Sequence, residues 1–279
     1  IIAASIASSR ALAPIEAAIG QWKGLVAARQ SRARLRHLLG SFPEQRQRIE
    51  LEPPYRSLAV ENIAVAVPGS TKVVIGSANF ELAAGQGLGI IGPSASGKST
   101  LARALTGIWP LGRGTVRLDG ASIDNWSSER LGRHVGYLPQ DVSLFAGTIG
   151  ENIARFETPP ESAAVLAAAR AANVHEMILQ LPDGYDTRLE ENGAPLSVGQ
   201  RQRIALARAL YRDPFFIVLD EPNSNLDSEG EAALVQALVE ARKRGAIVII
   251  IAHRPSVMAA VDMALMMKGG QVVAFGPRD

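Results

Sequence analysis

Residues 92–100 read Gly92-Pro93-Ser94-Ala95-Ser96-Gly97-Lys98-Ser99-Thr100. They follow an apolar run at 88–91 and precede a helical pattern, so the motif G-x-x-x-x-G-K-[ST] (Walker A) stands between a strand and a helix. Its glycines let consecutive backbone N–H groups surround a phosphate, and the positive end of the helix dipole adds to the attraction. The stretch therefore predicts a nucleotide site, with Lys98 on the outer phosphates and the Ser99 hydroxyl on Mg²⁺.

Two adjacent acids, Asp220 and Glu221, end the apolar run at 216–219. A buried strand has no reason to end in this way unless something cationic or reactive lies at its carboxyl edge, where ligands of α/β sheets bind. Because the phosphate loop lies upstream, we expect Asp220 to be an outer-sphere ligand of Mg²⁺. We expect Glu221 to be the base that orients attacking water. The alternative is a solvated turn, because Asp-Glu-Pro is also good turn sequence.

Apolar runs along the chain predict the fold class. Continuous runs at 88–91, 215–219 and 246–251 are typical of strands buried on both faces. Residues 57–67 alternate as a half-buried antiparallel strand does, and 73–82 supply another strand. Buried strands that alternate with helices indicate an α/β domain with a parallel sheet.

The pattern divides the chain into an arm, 1–50, and a larger domain, 51–279. Residues 42–54, which contain three prolines among charges, are predicted to be a linker. Within the larger domain, residues from about 141 to 211 are Ala-rich and contain no buried-strand run, so they are expected to form a helical insert, with a helix at 161–172. No internal repeat is visible, which indicates a single nucleotide-binding unit.

Charge and sulfur content narrow the possible functions. The 279 residues are 47% hydrophobic, enough for a sizeable core, and carry a net charge of +2. Residues 1–50 hold eight Lys and Arg against three Asp and Glu, whereas the rest hold 21 against 24. A nucleic-acid binder is expected to carry positive charge on its folded domain, and here the charge lies on the arm. The absence of Cys fits the reducing cytoplasm.

The arm leaves two interpretations open. The first residue is Ile, so the chain is expected to begin inside a longer one. Residues 1–9 are apolar, but Arg10 interrupts them well before the roughly 18 residues that span a bilayer, and no signal-peptide pattern is present. Trp22, Lys23 and the arginines that follow are typical of the flank of a membrane helix. The alternative is an amphipathic helix that packs on the domain.

A third motif, Leu196-Ser197-Val198-Gly199-Gln200, precedes a helical pattern at 201–211. Ser and Gly at a helix start present N–H groups to an anion, although an ordinary Ser N-cap has the same appearance. With the phosphate loop and the acidic strand end, the motif resembles the signature of the ATP-binding cassette (ABC) ATPases, commonly Leu-Ser-Gly-Gly-Gln. The resemblance covers about residues 55–279. It implies an α/β P-loop NTPase fold with a mixed sheet core, an N-terminal antiparallel β subdomain and an inserted α-helical subdomain.

The resemblance also implies roles for single residues. Gln140 contacts Mg²⁺ and the attacking water, Asp227 lies in the loop that crosses a dimer interface, and His253 contacts the γ-phosphate. Residues 190–193 are similar to the loop with which exporters sense their membrane domain. The implied catalytic residues are Glu221, His253, Gln140 and Lys98, and the implied Mg²⁺ residues are Ser99, Gln140 and Asp220. The implied ATP-binding residues are Gly92, Pro93, Ser94, Ala95, Ser96, Gly97, Lys98, Ser99, Thr100, Gln140, Ser197, Gly199, Gln200 and Asp227.

Residues 136–154 and 219–228 resemble, more narrowly, the type I secretion ATPases, the protease and lipase exporters of Gram-negative bacteria. This implies an ATPase, with ATP and Mg²⁺, that exports an unfolded protein across the inner membrane, with the nucleotide-binding domain on the cytoplasmic side. Residues 11–32 are similar to the end of that family's last membrane helix, which favours the membrane interpretation of the arm. The implied partners are a second copy in a head-to-tail homodimer, the transmembrane domain of the same polypeptide, a membrane fusion protein, an outer-membrane channel and the secreted protein, with no nucleic acid.

The sequence departs from the family pattern at three places, which bear on the phosphate loop, on turnover and on recognition of the nucleotide base. Ala95 replaces a common Gly, at a cost of about 1 kcal/mol if the position needs positive φ. Val198 replaces a signature Gly. This change would be tolerated in a regulatory cassette that binds nucleotide without turnover, but the presence of Glu221 and His253 argues against such a cassette. Residues 56–79 contain no aromatic where exporters often stack adenine, and Val67 takes about that place.

Two further alternatives concern the substrate. One is an ABC ATPase of a lipid or peptide exporter. The other is a nucleic-acid-handling cassette, in which long coiled coils or a second cassette are expected. Lys98 and Ser197 are only 99 positions apart, which argues against such an insertion.

Overall fold

The computed structural model describes residues 2–41, 51–70, 72–190, 196–252 and 254–278. Contacts divide the chain into two units, Ile1–Arg48 and Ile49–Asp279. The first contains helix α1 (Ile2–Ser41), whose apolar residues are not gathered on one face, so the pattern is not that of an amphipathic helix. Among the described residues, no helix combines the length and the apolar character that crossing a membrane requires.

The second unit is a layered α/β structure. Its strands in the described residues are β1 (Ser57–Ala66), β2 (Val73–Ala83), β3 (Gly87–Ile91), β4 (Arg113–Leu118), β5 (Ala121–Ser122), β6 (Val135–Leu138), β7 (Gly147–Thr148), β8 (Arg188–Leu189), β9 (Phe216–Asp220), β10 (Ile247–Ile251), β11 (Met263–Lys268) and β12 (Gln271–Pro277). Its helices there are α2 (Lys98–Leu105), α3 (Ser128–His134), α4 (Ile149–Ile153), α5 (Ser162–Ala171), α6 (His175–Leu179), α7 (Val198–Leu210), α8 (Ser228–Lys243) and α9 (Pro255–Met258).

Ten of these strands form one mixed sheet in the order β5-β4-β1-β2-β12-β11-β3-β10-β9-β6. Strands β4, β1 and β2 pair antiparallel, whereas β11, β3, β10, β9 and β6 are parallel to their neighbours in that series. A single parallel bridge, Gln271 to Ser77, joins the two parts. The expected mixed core and antiparallel β subdomain are therefore confirmed.

The central strands are apolar throughout because both of their faces are covered. In β9, Ile217 and Leu219 face a core built with α5, α7 and α8, while Phe216 and Val218 face a second core built with α2 and the antiparallel strands. Strand β10 alternates in the same way between the two cores. A strand in this position needs an unbroken apolar run, which explains why the sequence predicts it.

The predicted strands agree with the structure to within one residue at each end. The predicted helix at 161–172 is α5, but the helix predicted at 201–211 begins three residues earlier, at Val198, because Ser197 and Gln200 form a capping box. The predicted insert contains α4 to α7 and also a small, unpredicted β7–β8 sheet. Residues 42–50 of the predicted linker lie outside the described residues.

The topology gathers the candidate site residues at one edge. The parallel strands β3, β10, β9 and β6 all end there, as ligand sites of α/β sheets require. Strand β3 leads into the phosphate loop, β9 ends at Asp220 and β6 leads towards Gln140. Strand β10 leads to Ala252, and His253, which follows, lies outside the described residues.

A half-buried cation, Arg155, joins the helical insert to the sheet. Its guanidinium donates to the carbonyl oxygens of Val135 at 2.9 Å, Arg208 at 2.9 Å, Ala209 at 3.1 Å and also Gly132. Burial lowers the pKa of Arg155 to about 10, so the group stays charged at neutral pH. One side chain thus supplies donors to the end of α7, to α3 and to β6.

We expect Arg155→Met to destabilise the domain by about 3 kcal/mol, because several buried carbonyl groups lose their donor. For a domain of this size, the melting temperature should fall by roughly 6–12 °C. Thermal unfolding followed by circular dichroism measures the shift. The matched control is Arg170→Met at an exposed position of α5, for which a shift below about 2 °C is expected. Equal shifts in the two variants would contradict the stabilising role given to Arg155.

Candidate functional site

The phosphate loop connects β3 to α2 and lines a cavity of about 500 Å³. Gly97 has a φ of 98° at the start of α2, and Gly92 has a φ of 154°. A Cβ atom on Gly92 would lie 2.2 Å from the carbonyl oxygen of Met267, so no other residue fits. Ala95 has a φ of 61°, and the strain expected for Ala at this position is therefore present.

Lys98 is the buried cation of the loop, with 6% of its surface exposed. Its Nζ donates to the carbonyl oxygens of Gly92 at 2.9 Å and Pro93 at 3.0 Å. These bonds use two of the three ammonium donors and hold the group at the cavity wall. The Ser96 hydroxyl is also buried, and it has no hydrogen-bond partner in the part of the chain that the structure describes. A phosphate oxygen would supply such a partner, so the loop fits a phosphate.

Asp220 is 1% exposed, and neither carboxylate oxygen has a hydrogen-bond partner among the described residues. Burial raises the pKa of Asp220, and interaction with the Ser99 hydroxyl opposes part of this rise. A buried carboxylate without donors is stabilised by a cation. In the described ranges no group of three or more His, Asp or Glu side chains could hold a metal alone. Ser99 and Asp220 nevertheless fit Mg²⁺, because this ion takes most of its ligands from phosphates and water.

Glu221 and Gln140 meet at the same cavity, although they are 81 positions apart in the sequence. Glu221 follows β9 with a φ of 51°, and the Gln140 Nε2 donates to its Oε2 at 3.3 Å. A carboxylate beside an amide can accept a proton from a water molecule and orient it. The fold thus brings together two residues that the sequence had marked as candidates.

A second wall of the cavity was not predicted. It consists of Lys72, Val73 and Val74 at the start of β2 and of the Gly269–Gly270 turn between β11 and β12. A Cβ atom on Gly270 would lie 2.0 Å from the Val74 carbonyl oxygen, so this approach requires glycine. A Gly-Gly pair between two apolar runs is a hairpin signal, and it could have indicated the turn.

No aromatic side chain lines the cavity within the described residues. Val67, expected to take the place of an adenine-stacking residue, does not line it, whereas Val73 does and is 60% exposed. Apart from Lys72, this wall offers no side-chain donor or acceptor that could distinguish adenine from guanine.

We expect GTP to compete with ATP within about tenfold, or about 1.4 kcal/mol. A competition titration measures the ratio, and a hundredfold preference for ATP would contradict this expectation.

Residues 197–200 lie at the start of α7, outside this cavity. The Gln200 N–H donates to Ser197 Oγ at 3.2 Å, and the Ser197 N–H donates to Gln200 Oε1 at 2.8 Å. Ser197 is exposed, Val198 is 52% exposed, and Gly199 is half-buried. In its own chain this motif is a helix cap, and its predicted contact with ATP stays a prediction.

Asp227 also lies outside the cavity. It accepts hydrogen bonds from the Gly230 N–H at 2.9 Å and from Arg203 Nη2 at 2.7 Å. The Gly230 bond and, to a smaller extent, Arg203 lower the pKa of Asp227. Its place at a dimer interface stays a prediction, as do the roles of His253 and of residues 191–193, which lie outside the described residues.

A phosphate loop at the carboxyl edge of a parallel sheet, beside a buried carboxylate and a candidate base, defines a P-loop NTPase. Residues 75–224 match the family described as ABC transporter. The chain belongs to the ABC transporter family, which confirms the predicted fold class.

Named relatives extend this result. The chain is 58% identical over all 279 residues to "Type I secretion system ATP-binding protein PrsD" of Rhizobium meliloti (strain 1021), and covers 48% of that protein. It is 43% identical over 198 residues, 71% of this chain and 33% of the relative, to an "ATP-dependent lipid A-core flippase" of Burkholderia thailandensis. A solved bacterial Atm1-family ABC exporter with ATP bound has a TM-score of 0.81 and 31% identity over 92% of this chain and 45% of that one. The chain therefore spans about half the length, or less, of these relatives.

Proposed function

We propose that this chain is the ATP-hydrolysing part of a type I secretion exporter, which exports an unfolded protein across the inner membrane. The 58% identity to a secretion ATPase over the whole chain carries the proposal. The flippase relatives match a smaller part of the chain at 43% identity or less, so a lipid substrate is the second candidate.

The proposed working unit is a head-to-tail dimer of two copies. The motif at 197–200 supports this, because its residues are exposed or half-buried outside the cavity of their own chain. The N-terminus of α7 would attract the triphosphate held by Lys98 of the other copy. ATP binding then closes the dimer, because the closed state has contacts to the nucleotide that the open state lacks.

In the closed dimer the residues of one chain have separate tasks. Lys98 binds the outer phosphates, and Ser99 and Asp220 would hold Mg²⁺, which would neutralise phosphate charge. Glu221 accepts the proton of the attacking water, Gln140 orients that water, and His253 contacts the γ-phosphate. Separation of ADP and phosphate removes the bridge between the two copies, and the dimer opens.

The other parts of the proposal concern the whole protein. Residues 1–50 are the end of the transmembrane domain and a basic linker, and the nucleotide-binding domain lies on the cytoplasmic side of the inner membrane. A membrane fusion protein, an outer-membrane channel and a secreted protein complete the assembly. Nucleic acid has no part in it, because the positive charge lies on the arm.

The test uses the full-length protein in the bacterium that encodes it. Deletion should remove one or a few proteins from the culture medium, and the wild-type gene should restore them. Lys98→Ala, expressed at the same level, should not restore them. An unchanged medium together with loss of lipid A-core transport would instead support the flippase function.

A further inference from the structure

Gln202 is a buried amide on the helix that follows the signature motif. It is 3% exposed, and its Nε2 donates to the Pro222 carbonyl oxygen at 2.5 Å. The same nitrogen lies 3.4 Å from both the Glu221 carbonyl oxygen and Ser224 Oγ. All three partners belong to the loop after β9, which carries the candidate base.

That loop needs an anchor because of its backbone conformation. Glu221 has a φ of 51°, in a region that L-residues rarely adopt. Its N–H donates to the Ile251 carbonyl oxygen of β10 at 2.9 Å, which fixes the loop on one side. Gln202 fixes it on the other side, at the Pro222 carbonyl group. Between these two bonds the Glu221 carboxylate reaches Gln140 at the cavity.

A role in packing alone explains Gln202 less well. Its Oε1 atom is buried and has no hydrogen-bond partner in the part of the chain that the structure describes. A buried amide oxygen of this kind costs stability, and a methionine of similar length would avoid the cost. The amide nitrogen donates to the loop and holds it in place, and this explains why the residue at this position is polar.

We propose that Gln202 is a positioning residue for ATP hydrolysis. It acts through Glu221 by fixing the loop 221–224, and it takes no part in nucleotide binding. The inference rests on the proposed function in one respect, the assignment of Glu221 as the base. Because α7 also begins with the signature motif, Gln202 joins that motif to the loop that carries Glu221.

The experiment is a double-mutant cycle on the full-length protein, with Gln202→Met and Glu221→Gln. Gln202→Met should lower kcat roughly 10- to 100-fold, the effect of a base displaced by about 1 Å. The KM for ATP should stay within about twofold, because no ATP contact is lost. The double variant should hydrolyse ATP no more slowly than Glu221→Gln alone, since no base is left to position. Losses that multiply instead would overturn the inference.

Controls separate the possible failures. Gln236→Met, at an exposed glutamine of α8, should keep full activity. If Gln202→Met does not fold, Gln202→Leu replaces it, because this variant is also apolar and without a donor but needs less room in the buried site. Full turnover in Glu221→Gln would refute the assignment of the base and thus the proposed chemistry. A loss in Glu221→Gln beside unchanged turnover in the Gln202 variant would overturn only the positioning role.

Discussion

Lys98→Ala is expected to reduce steady-state ATP hydrolysis at least about 100-fold. The ammonium lies at the cavity wall, held by the carbonyl oxygens of Gly92 and Pro93, and it is the buried cation nearest to where the outer phosphates are predicted to bind. Its loss removes a charge that stabilises the triphosphate both in binding and in the transition state. A coupled assay of ADP release across a range of Mg-ATP concentrations measures kcat and KM.

The matched control for this variant is Lys243→Ala in α8. Lys243 is 66% exposed and forms an ion pair with Glu240 at 2.8 Å, so its removal should change turnover by less than about twofold. Thermal unfolding separates chemistry from folding, because Lys98→Ala leaves two carbonyl groups without their donor at a cost of about 1–3 kcal/mol. Hydrolysis above one tenth of the wild-type rate would contradict the role given to Lys98.

The sequence predicts the phosphate loop and the central strands because their requirements are local. Gly92 and Gly97 are needed for the backbone of a few consecutive residues, and an unbroken apolar run is needed wherever both faces of a strand are covered. Strands β4, β11 and β12 escape prediction, and most of their residues are partly or fully exposed, so they lack the covered faces of the central strands. Their pairing partners decide their structure more than their own residues do.

The contacts that complete the site are not local, and the sequence did not reveal them. Gln202 is 20 positions from Pro222, and nothing in its neighbourhood distinguishes it from any helical glutamine. The wall formed by Val74 and Gly270 depends on the register of β2 against β12, which joins distant parts of the chain. For the same reason the sequence pointed to Val67, although Val73 is the residue that lines the cavity.

The residues of the candidate site explain ATP hydrolysis but do not indicate which substrate is exported. The residues proposed to bind phosphate, Mg²⁺ and the attacking water would have the same tasks whether a protein or a lipid is exported. That explains why the chain matches a secretion ATPase and several lipid flippases through one fold. The identity over the full chain, including the arm, therefore carries more weight for the substrate than the site does.

Glu221→Gln is expected to trap an ATP-bound dimer. The change keeps the size of the side chain and an oxygen that can accept the bond from Gln140 Nε2, so nucleotide binding should persist. It removes the proton acceptor, and hydrolysis should fall roughly 100- to 1,000-fold. Bound ATP would then hold two copies together, each covering the other's phosphates with residues 197–200 at the start of α7. Size-exclusion chromatography with light scattering, in Mg-ATP, measures the dimer fraction.

Two comparisons make this last result decisive. Glu240→Gln, at an exposed position of α8, should hydrolyse ATP and dimerise as the wild-type chain does. Adding Ser197→Arg to Glu221→Gln should abolish the dimer and leave ATP binding intact, because Ser197 does not line the cavity of its own chain. If Glu221→Gln binds ATP and stays monomeric at every concentration, the nucleotide does not join two copies. If the dimer survives Ser197→Arg, the joining surface is not the signature motif.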